Sequence, residues 1–487
     1  MLMSEEEKQS RQTEEKPIRT MEPTVEEELN DASILKVFRS LNYNVKLILL
    51  FYVVSSIALG IWMGNVMSFY IELLATESGG LFGLGSMQTL GLSSAASGIT
   101  MTLFVFPSGF LADKYRRDIM LKIAAVIGIA SMGIIIFGQS MIFVFIGLLV
   151  FGLFNALTRP ALEALFADSI TSGYRSRIYS WANLLRQFAM AFGPFFNIFL
   201  LLIFGNEWKL EIMTKVMYVG MAISVISLII LFLLKDDRSL GEASEAIPEE
   251  VTATAEKKEM LADKIEDIAT KKPSLVIPLL LVSGNVIIGI GAGMTVKYFP
   301  LFFKEIYSLS PIIIQVIFGV TSIFTGIAGL IAQQFSKKRG RAQMIAGTQF
   351  VATLCLVGLI FYPPLGVLIP IFIARGSLMN AGMPLSRSIL MDVVPKKNRG
   401  TWNSVEAIAW GLFWNFSAVI GGFLVGDNNN FRLCFTVTSI TYMVGIIPIL
   451  FLIPLVGKER LAMTEEEKRK VAKKTLTKSP EEIPESA

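Results

Sequence analysis

The chain has 487 residues, of which 53% are hydrophobic and only 17% are charged, and its net charge is +4. A soluble domain carries about 25% charged residues, so this composition argues against one and indicates a membrane protein. Histidine is absent, which removes the commonest metal ligand and the usual proton carrier at neutral pH. With only two cysteines in addition, we expect neither a metal site nor a cofactor.

The polar parts of the chain carry no sign of a nucleic-acid partner, because no basic stripe is interleaved with aromatic residues. Residues 1–44 hold ten acidic against six basic side chains and no leading apolar core. We therefore expect that this segment is not a signal peptide. We expect it to be a largely disordered tail.

Twelve apolar runs of about 20 residues or more follow, each long enough to cross a bilayer. Alternating strand patterns are absent, and helices satisfy their own backbone hydrogen bonds within lipid. The sequence therefore predicts an all-α integral membrane protein with twelve transmembrane helices. The predicted spans are 46–74, 93–112, 119–138, 141–166, 178–203, 212–234, 275–303, 311–334, 342–362, 365–391, 402–425 and 431–456.

A repeated pattern divides these spans into two six-helix pseudo-repeats, residues 45–234 and 274–457, joined by a linker at 235–273 and followed by a tail at 458–487. A doubled helical unit is typical of a transporter whose substrate site lies between the copies. The pattern G-x7-P-x7-D-x6-R occurs twice, 224 residues apart, as Gly152, Pro160, Asp168 and Arg175, and as Gly376, Pro384, Asp392 and Arg399.

Lysine and arginine are concentrated in one set of short loops, which predicts the orientation. Cytoplasmic loops collect such residues, so both termini and the linker are expected in the cytoplasm, with the protein in the plasma membrane or an organelle membrane. The basic loops contain Lys114, Arg116, Arg117, Arg175, Arg177, Lys337, Lys338, Arg339, Arg341, Lys396, Lys397 and Arg399.

The loop between the second and third spans contains Gly109-Phe-Leu-Ala-Asp113-Lys114-Tyr-Arg-Arg117. It resembles the G-x-L-A-D-[RK]-x-G-[RK] signature of the major facilitator superfamily, although Arg116 stands where glycine is usual. Gly329-Leu-Ile-Ala-Gln333 is similar to a degenerate second copy. The resemblance implies the twelve-helix fold of that family across residues 40–457, and secondary transport of a solute. Neither a phosphate-binding loop nor a hydrolase elbow is present, so we expect no enzymatic activity.

The same resemblance implies a gating role for Gly109, Asp113, Lys114 and Arg117, which would hold the cytoplasmic side shut together with the other half. The pairs Asp168 with Arg175 and Asp392 with Arg399 bracket equivalent loops and suggest two further gate contacts. The alternative is that these are helix-end charges in water, each pair worth at most about 1 kcal/mol.

Charged residues inside the spans are the candidates for substrate and proton binding, because each costs roughly 2.5–3.5 kcal/mol near the bilayer centre unless it meets a cavity or partner. Glu163 and Glu406 would take up protons, and the arginines would steer them or bind an anion. The alternative is a set of ion pairs that only fasten helices, which we favour for Glu406 and Arg387. The candidates are Arg159, Glu163, Arg186, Arg375 and Glu406, with Asn155, Asn380, Trp410 and Trp414 as further candidates that packing would also explain.

From these observations we predict a monomeric secondary transporter that moves a small organic solute through the lipid bilayer by alternating access, with proton-coupled export as the first choice. The first alternative is an uptake carrier for a nutrient or organic anion, since buried arginines suit an anion. The second is a receptor or scaffold that transports nothing.

Overall fold

The computed structural model describes residues 41–170, 175–240, 275–394 and 396–456, without the side chains at 113, 175–177, 180, 391 and 396–410. Fifteen membrane helices follow one another in these ranges. They are α1 (Tyr43–Trp62), α2 (Asn65–Ser78), α3 (Ser86–Lys114), α4 (Arg117–Gly138), α5 (Met141–Asp168), α6 (Arg175–Phe204), α7 (Leu210–Leu233), α8 (Val276–Val296), α9 (Phe299–Tyr307), α10 (Pro311–Arg339), α11 (Arg341–Ile360), α12 (Leu365–Ala381), α13 (Met383–Val393), α14 (Lys396–Val425) and α15 (Phe431–Val456).

Three crossings consist of two helices each, α1 with α2, α8 with α9, and α12 with α13, so the described helices make twelve crossings. Eleven of them are long and apolar enough to span a membrane, and the twelfth, α14, contributes the apolar segment Gly411–Val425. The twelve-helix fold expected from the sequence is confirmed.

Two boundaries differ from the predicted spans by more than five residues. Helix α3 begins at Ser86 rather than at 93, because its first turns pack against α14 through small residues and need no apolar surface toward lipid. Helix α14 begins at Lys396 rather than at 402. Its first residues are polar and can extend beyond the apolar layer of the membrane, whereas the prediction followed the apolar run alone.

Each half begins with a broken helix that the sequence did not predict. Met63 and Gly64 separate α1 from α2, and Lys297 and Tyr298 separate α8 from α9. In the second half, aromatic packing holds α9, the helix that follows the break. Phe302 on α9 lies 5.0 Å from the ring of Phe435. This contact packs α9 against α15.

The two ends of the bundle differ in charge. We call the end with the loops containing Lys114–Arg117 and Lys337–Arg341 the inner end, and the opposite end the outer end. The first half comprises residues 41–240 and the second half residues 275–456. The described chain enters each half and leaves it at the inner end.

The halves are in close contact toward the outer end. On α3 of the first half, a Cβ added to Gly91 would lie 2.5 Å from the carbonyl oxygen of Ala418 on α14. The Tyr298 hydroxyl lies 3.4 Å from the carbonyl oxygen of Met87 across the same contact, and donates to Ala418 at 2.6 Å. At this end the two halves touch backbone to backbone.

A second contact between the halves, between α6 and α10, is lost toward the inner end. A Cβ added to Gly319 on α10 would lie 2.9 Å from Phe195 of the first half, whereas one added to Gly326 or Gly329 would meet nothing within 4 Å among the described residues. Gly109, at the inner end of α3, is equally open. The described structure is therefore closed at the outer end and open at the inner end.

Candidate functional site

A group of polar side chains lies on the inner portion of the first half, and we call Tyr52, Arg159, Glu163, Tyr179 and Arg186 the inner site. The buried Tyr52 on α1 donates its hydroxyl to Oε1 of Glu163 on α5 at 3.2 Å. The guanidinium of Arg186 on α6 lies 5.0 Å from the Tyr52 ring centroid. Side chains of three helices thus meet around the Tyr52 ring and its bond to Glu163.

Helix α5 presents this carboxylate through its regular spacing. Arg159 and Glu163 are one turn apart and both are exposed, whereas Leu162, Leu165 and Phe166 between and beside them are buried. One helix face therefore packs while the other carries the charges.

Aromatic packing holds the Tyr52 ring in place. The ring of Phe166 lies 6.0 Å from Tyr52 and 4.8 Å from Tyr179. The Tyr179 hydroxyl donates to the backbone oxygen of Glu163 at 3.5 Å. The hydrogen bond to Glu163 therefore comes from a side chain with little freedom to turn away.

The charges of the inner site do not cancel. Glu163 provides one carboxylate and Arg159 and Arg186 provide two guanidiniums; Arg159 interacts electrostatically with both Glu163 and Arg186, and Arg186 with Tyr52. Among the described side chains, neither arginine forms an ion pair of 4.0 Å or less with Glu163. All three are exposed, so both the carboxylate and the guanidiniums are accessible to a ligand.

Arg375, also predicted for the substrate site, lies elsewhere. It is 5% exposed inside the second half, donates to the Tyr442 hydroxyl at 2.7 Å and lies over the Phe299 ring at 4.6 Å. Its Nε has no hydrogen-bond partner among the described residues. The structure therefore does not bring Arg375 together with Glu163.

The remaining candidates divide into two sets. The amides of Asn155 and Asn380 donate to the carbonyls four residues earlier in their own helices. Trp414 is partly buried against the main hydrophobic core. The side chains of the other candidates lie outside the described residues, namely Asp113, Arg175, Arg399, Glu406 and Trp410.

At the inner end, the aspartates expected to form gate contacts have described partners within their own halves. Arg117 forms an ion pair with Asp168, and Arg341 forms one with Asp392 at 2.6 Å. The two pairs are again 224 residues apart, so the internal repeat extends to a contact that the sequence pattern did not reveal. Each pair joins two helices of the same half, Arg117 with Asp168 in the first half and Arg341 with Asp392 in the second.

The rest of the signature loop also contacts the first half. Arg116 bonds to Asp118 at 3.1 Å and to Asp237 at 2.9 Å, and these hydrogen bonds raise the pKa of Arg116. Lys114 lies 5.8 Å from the neighbouring Tyr115 ring. The hydrogen bonds and ion pairs of the described side chains of this loop all stay within the first half.

The outer end contains a charged group that the sequence analysis missed, and we call Glu72, Lys304 and Glu305 the outer latch. Lys304 Nζ lies 2.5 Å from Glu72 Oε2 and 3.1 Å from Glu305 Oε1. The predicted span ended at 303, which left Lys304 in a loop, but α9 continues to Tyr307. Glu72 lay inside the first predicted span, and a carboxylate there was the available signal.

Two hydrogen bonds between the halves accompany the outer latch. The Trp208 indole donates to the carbonyl of Leu309 at 3.0 Å, and the backbone N–H of Ile312 donates to Asn206 at 2.9 Å. Both first-half residues lie between α6 and α7. Loop contacts and the ion pair therefore close the outer end together.

Comparisons with known proteins agree with this architecture. The family model described as Major Facilitator Superfamily matches residues 48–381 and 281–481. No curated protein matches the sequence.

Solved structures resemble the chain in fold. A bacterial homologue of the iron transporter ferroportin in an inward-facing state is 12% identical, with a TM-score of 0.64, and the match covers 88% of this chain and 100% of that one. The inward-open xylose transporter XylE from E. coli is 15% identical, with a TM-score of 0.61 and coverage of 88% and 99%. At such identities the likeness shows the fold alone. Because the family model covers most of the sequence, the chain belongs to the Major Facilitator Superfamily, as a multi-pass membrane protein that moves a solute by secondary transport and is not an enzyme.

Proposed function

We propose that the protein couples the movement of a small organic anion to the movement of a proton, with Glu163 as the proton site and Arg159 and Arg186 as the anion site. The observation that carries the proposal is the excess of positive charge around one accessible carboxylate. When Glu163 is ionised it offsets one of the two guanidiniums. When it is protonated both become available, so proton and anion binding reinforce each other.

Tyr52 gives this site its geometry. A hydrogen bond to a charged group contributes roughly 1.5–3 kcal/mol, and the Tyr52 hydroxyl donates to the ionised carboxylate at 3.2 Å. The same hydroxyl can accept from a protonated carboxyl group, so the contact survives the change of charge. The site therefore keeps its shape through a cycle of proton uptake and release.

Alternating access would proceed by rocking residues 45–234 against residues 274–457 within a monomer. The opening at the inner end exposes the inner site in the state described above. Basic loops face the cytoplasm in most membrane proteins, so we assign the inner end and both termini to the cytoplasm.

Proton-coupled export, the first expectation from the sequence, is the second candidate. It suits a cationic solute that competes with the proton for Glu163, and it is favoured by the absence of a described ion pair to that carboxylate. The two candidates differ in the charge of the solute and in the sign of the response to a pH gradient.

The test begins with purified protein and a panel of carboxylates and amines screened by thermal unfolding, because a ligand of the folded state raises its stability. Compounds that bind are then added to proteoliposomes containing the pH indicator pyranine. Co-transport of an anion should acidify the interior as solute enters. Alkalinisation of the interior driven by an entering amine would instead support the exchanger.

Glu163→Gln decides the role of the carboxylate. The variant keeps the shape of the side chain but cannot titrate, so we expect solute exchange to persist while the proton signal is lost. Glu207→Gln is the matched control, because Glu207 is an exposed carboxylate in an outer loop. A normal proton signal from Glu163→Gln would overturn the assignment.

A further inference from the structure

The outer latch contains an ion pair between the halves, Glu72 with Lys304, that is nearly excluded from solvent. Glu72 belongs to α2 of the first half and Lys304 to α9 of the second. Their side chains are 8% and 12% exposed. A pair so placed contributes only while the outer end is closed, because separating the halves separates the two charges.

Lys304 has a second carboxylate available within its own half. Glu305 Oε1 lies 3.1 Å from the ammonium, and the Asn429 amide donates to Glu305 Oε2 at 3.4 Å. The latch therefore holds two carboxylates against one ammonium and carries one excess negative charge. Such a group is balanced by one additional proton.

The charged neighbours of the latch do not supply that balance. Lys304 and Glu305 are the charged groups that act on Glu72. The Trp208 ring lies 5.7 Å from the Lys304 ammonium and adds no charge. Three described cations on adjoining outer segments have other contacts, since Lys209 pairs with Glu207, Lys215 pairs with Glu211 and Arg432 lies over the ring of Tyr362. Lys297, which precedes α9, is not among the groups that act on Glu72. Glu77 and Asp427 are further carboxylates of the outer end, so they supply no positive charge.

We propose that the outer latch is a second proton-binding site and that proton uptake there opens the outer end. A proton from the outer solution binds the Glu72 carboxylate, which becomes neutral. Lys304 is then paired with Glu305 alone. The cross-half attraction is lost, and neither half is left with an unpaired charge when they separate.

This proposal rests on the proposed alternating access and adds a role for Glu305 that a simple ion pair would not need. Without Glu305, protonation of Glu72 would leave the Lys304 ammonium without its anion in a poorly hydrated position. Proton uptake by Glu72 would then be opposed, and opening would require a lower pH. The second carboxylate makes the opening of the latch responsive to one proton.

The test measures the outer opening directly, without a transported solute. Spin labels are placed at Ser78→Cys and Asn428→Cys, exposed positions at the outer end of the two halves, in full-length protein with Cys355→Ser and Cys434→Ala. Electron–electron distances are recorded in nanodiscs over a pH series, in buffers with and without sodium. Failure of the transport test would leave this measurement valid, and the reverse also holds.

With the latch intact, the short distance should dominate at neutral pH and the ratio of open to closed molecules should rise on acidification. Glu72→Gln should raise that ratio at neutral pH about 5- to 150-fold, the usual range of a conformational coupling, and remove the response to pH. Glu305→Gln should weaken opening at acidic pH. The charge exchange Glu72→Lys with Lys304→Glu should restore the short distance at neutral pH.

Glu211→Gln is the matched control, since it breaks an exposed pair within one half at the same end, and it should change nothing. If Glu72→Gln does not fold, the spin-label distances measured over the pH series in the otherwise unchanged protein and in Glu305→Gln still test the proposal. The proposal is overturned by distances that do not respond to pH, by a response that requires sodium, or by a Glu72→Gln distribution equal to that of the parent.

Discussion

Gly91→Ala should open the outer end by adding one methyl group at the contact between the halves. The new Cβ would lie 2.5 Å from the carbonyl oxygen of Ala418, 2.6 Å from the Tyr298 hydroxyl and 3.0 Å from Cα of Val419. Two of these neighbours are backbone atoms of α14 and cannot rotate away. The helices must therefore move apart by about 1 Å to restore ordinary contact distances.

The magnitude follows from the packing. Inserting a methyl group into a filled contact costs typically about 1–3 kcal/mol. That cost exists only in the state in which α3 and α14 touch, so it shifts the conformational equilibrium in full. Since about 1.4 kcal/mol corresponds to a factor of ten, the ratio of outer-open to outer-closed molecules should rise roughly 5- to 150-fold.

The assay is the spin-label distance across the outer end, combined with thermal unfolding. Gly60→Ala is the first control, because its Cβ would meet the backbone of Met190 and Gly193 within the first half. It should lower the melting temperature with little change in distance. Gly133→Ala is the second control, and since nothing described lies within 4 Å of its new Cβ, it should change neither quantity.

One result would refute this reasoning. If Gly91→Ala lowered the melting temperature as Gly60→Ala does but left the outer distance unchanged, the contact between α3 and α14 would be permanent. It would then act as a fixed pivot and could not be part of an outer gate.

Two further predictions concern the contacts of Arg375 and of Arg117. Arg375→Met should leave the melting temperature unchanged or raise it. The cost of burying a guanidinium is several kcal/mol, which outweighs the hydrogen bond of Arg375 to Tyr442 and its contact with Phe299. A loss of stability above about 2 kcal/mol, measured by thermal unfolding, would contradict this prediction. Asp168→Asn should lower the free energy of unfolding by no more than about 1 kcal/mol, because its pair with Arg117 is partly solvated. A larger loss, measured by unfolding in denaturant, would show that this pair is a major source of stability in the first half.

The internal repeat shows which contacts at the inner end a single sequence can predict. Asp168 and Asp392 are equivalent in sequence, because their spacing to glycine, proline and arginine is identical in the two halves. Their described partners, Arg117 and Arg341, obey the same interval. They lie on a different helix, and nearby arginines at each loop offered competing partners, so spacing could not choose between them.

The inner site was predicted in part. A charged residue inside an apolar span is conspicuous, so Glu163, Arg159 and Arg186 could be selected and placed at similar depth. Tyr52 could not, because a tyrosine in an apolar helix has no distinguishing pattern. Arg375 was selected by the same rule as Glu163, yet it points into the interior of the second half, since the direction of a side chain depends on how the helices are rotated about their axes.

The sequence by itself determined the membrane location, the twelve helices and the doubled architecture, because hydropathy over about 20 residues and a long-range repeat are properties of the chain alone. The tertiary structure decided which end is closed, and that Glu72 meets Lys304 across 232 residues at 2.5 Å. Contacts between the halves come from helices far apart in the chain, and they depend on the rocking angle of two bodies. Hydropathy does not encode that angle, because the same apolar helices fit the bilayer in either state.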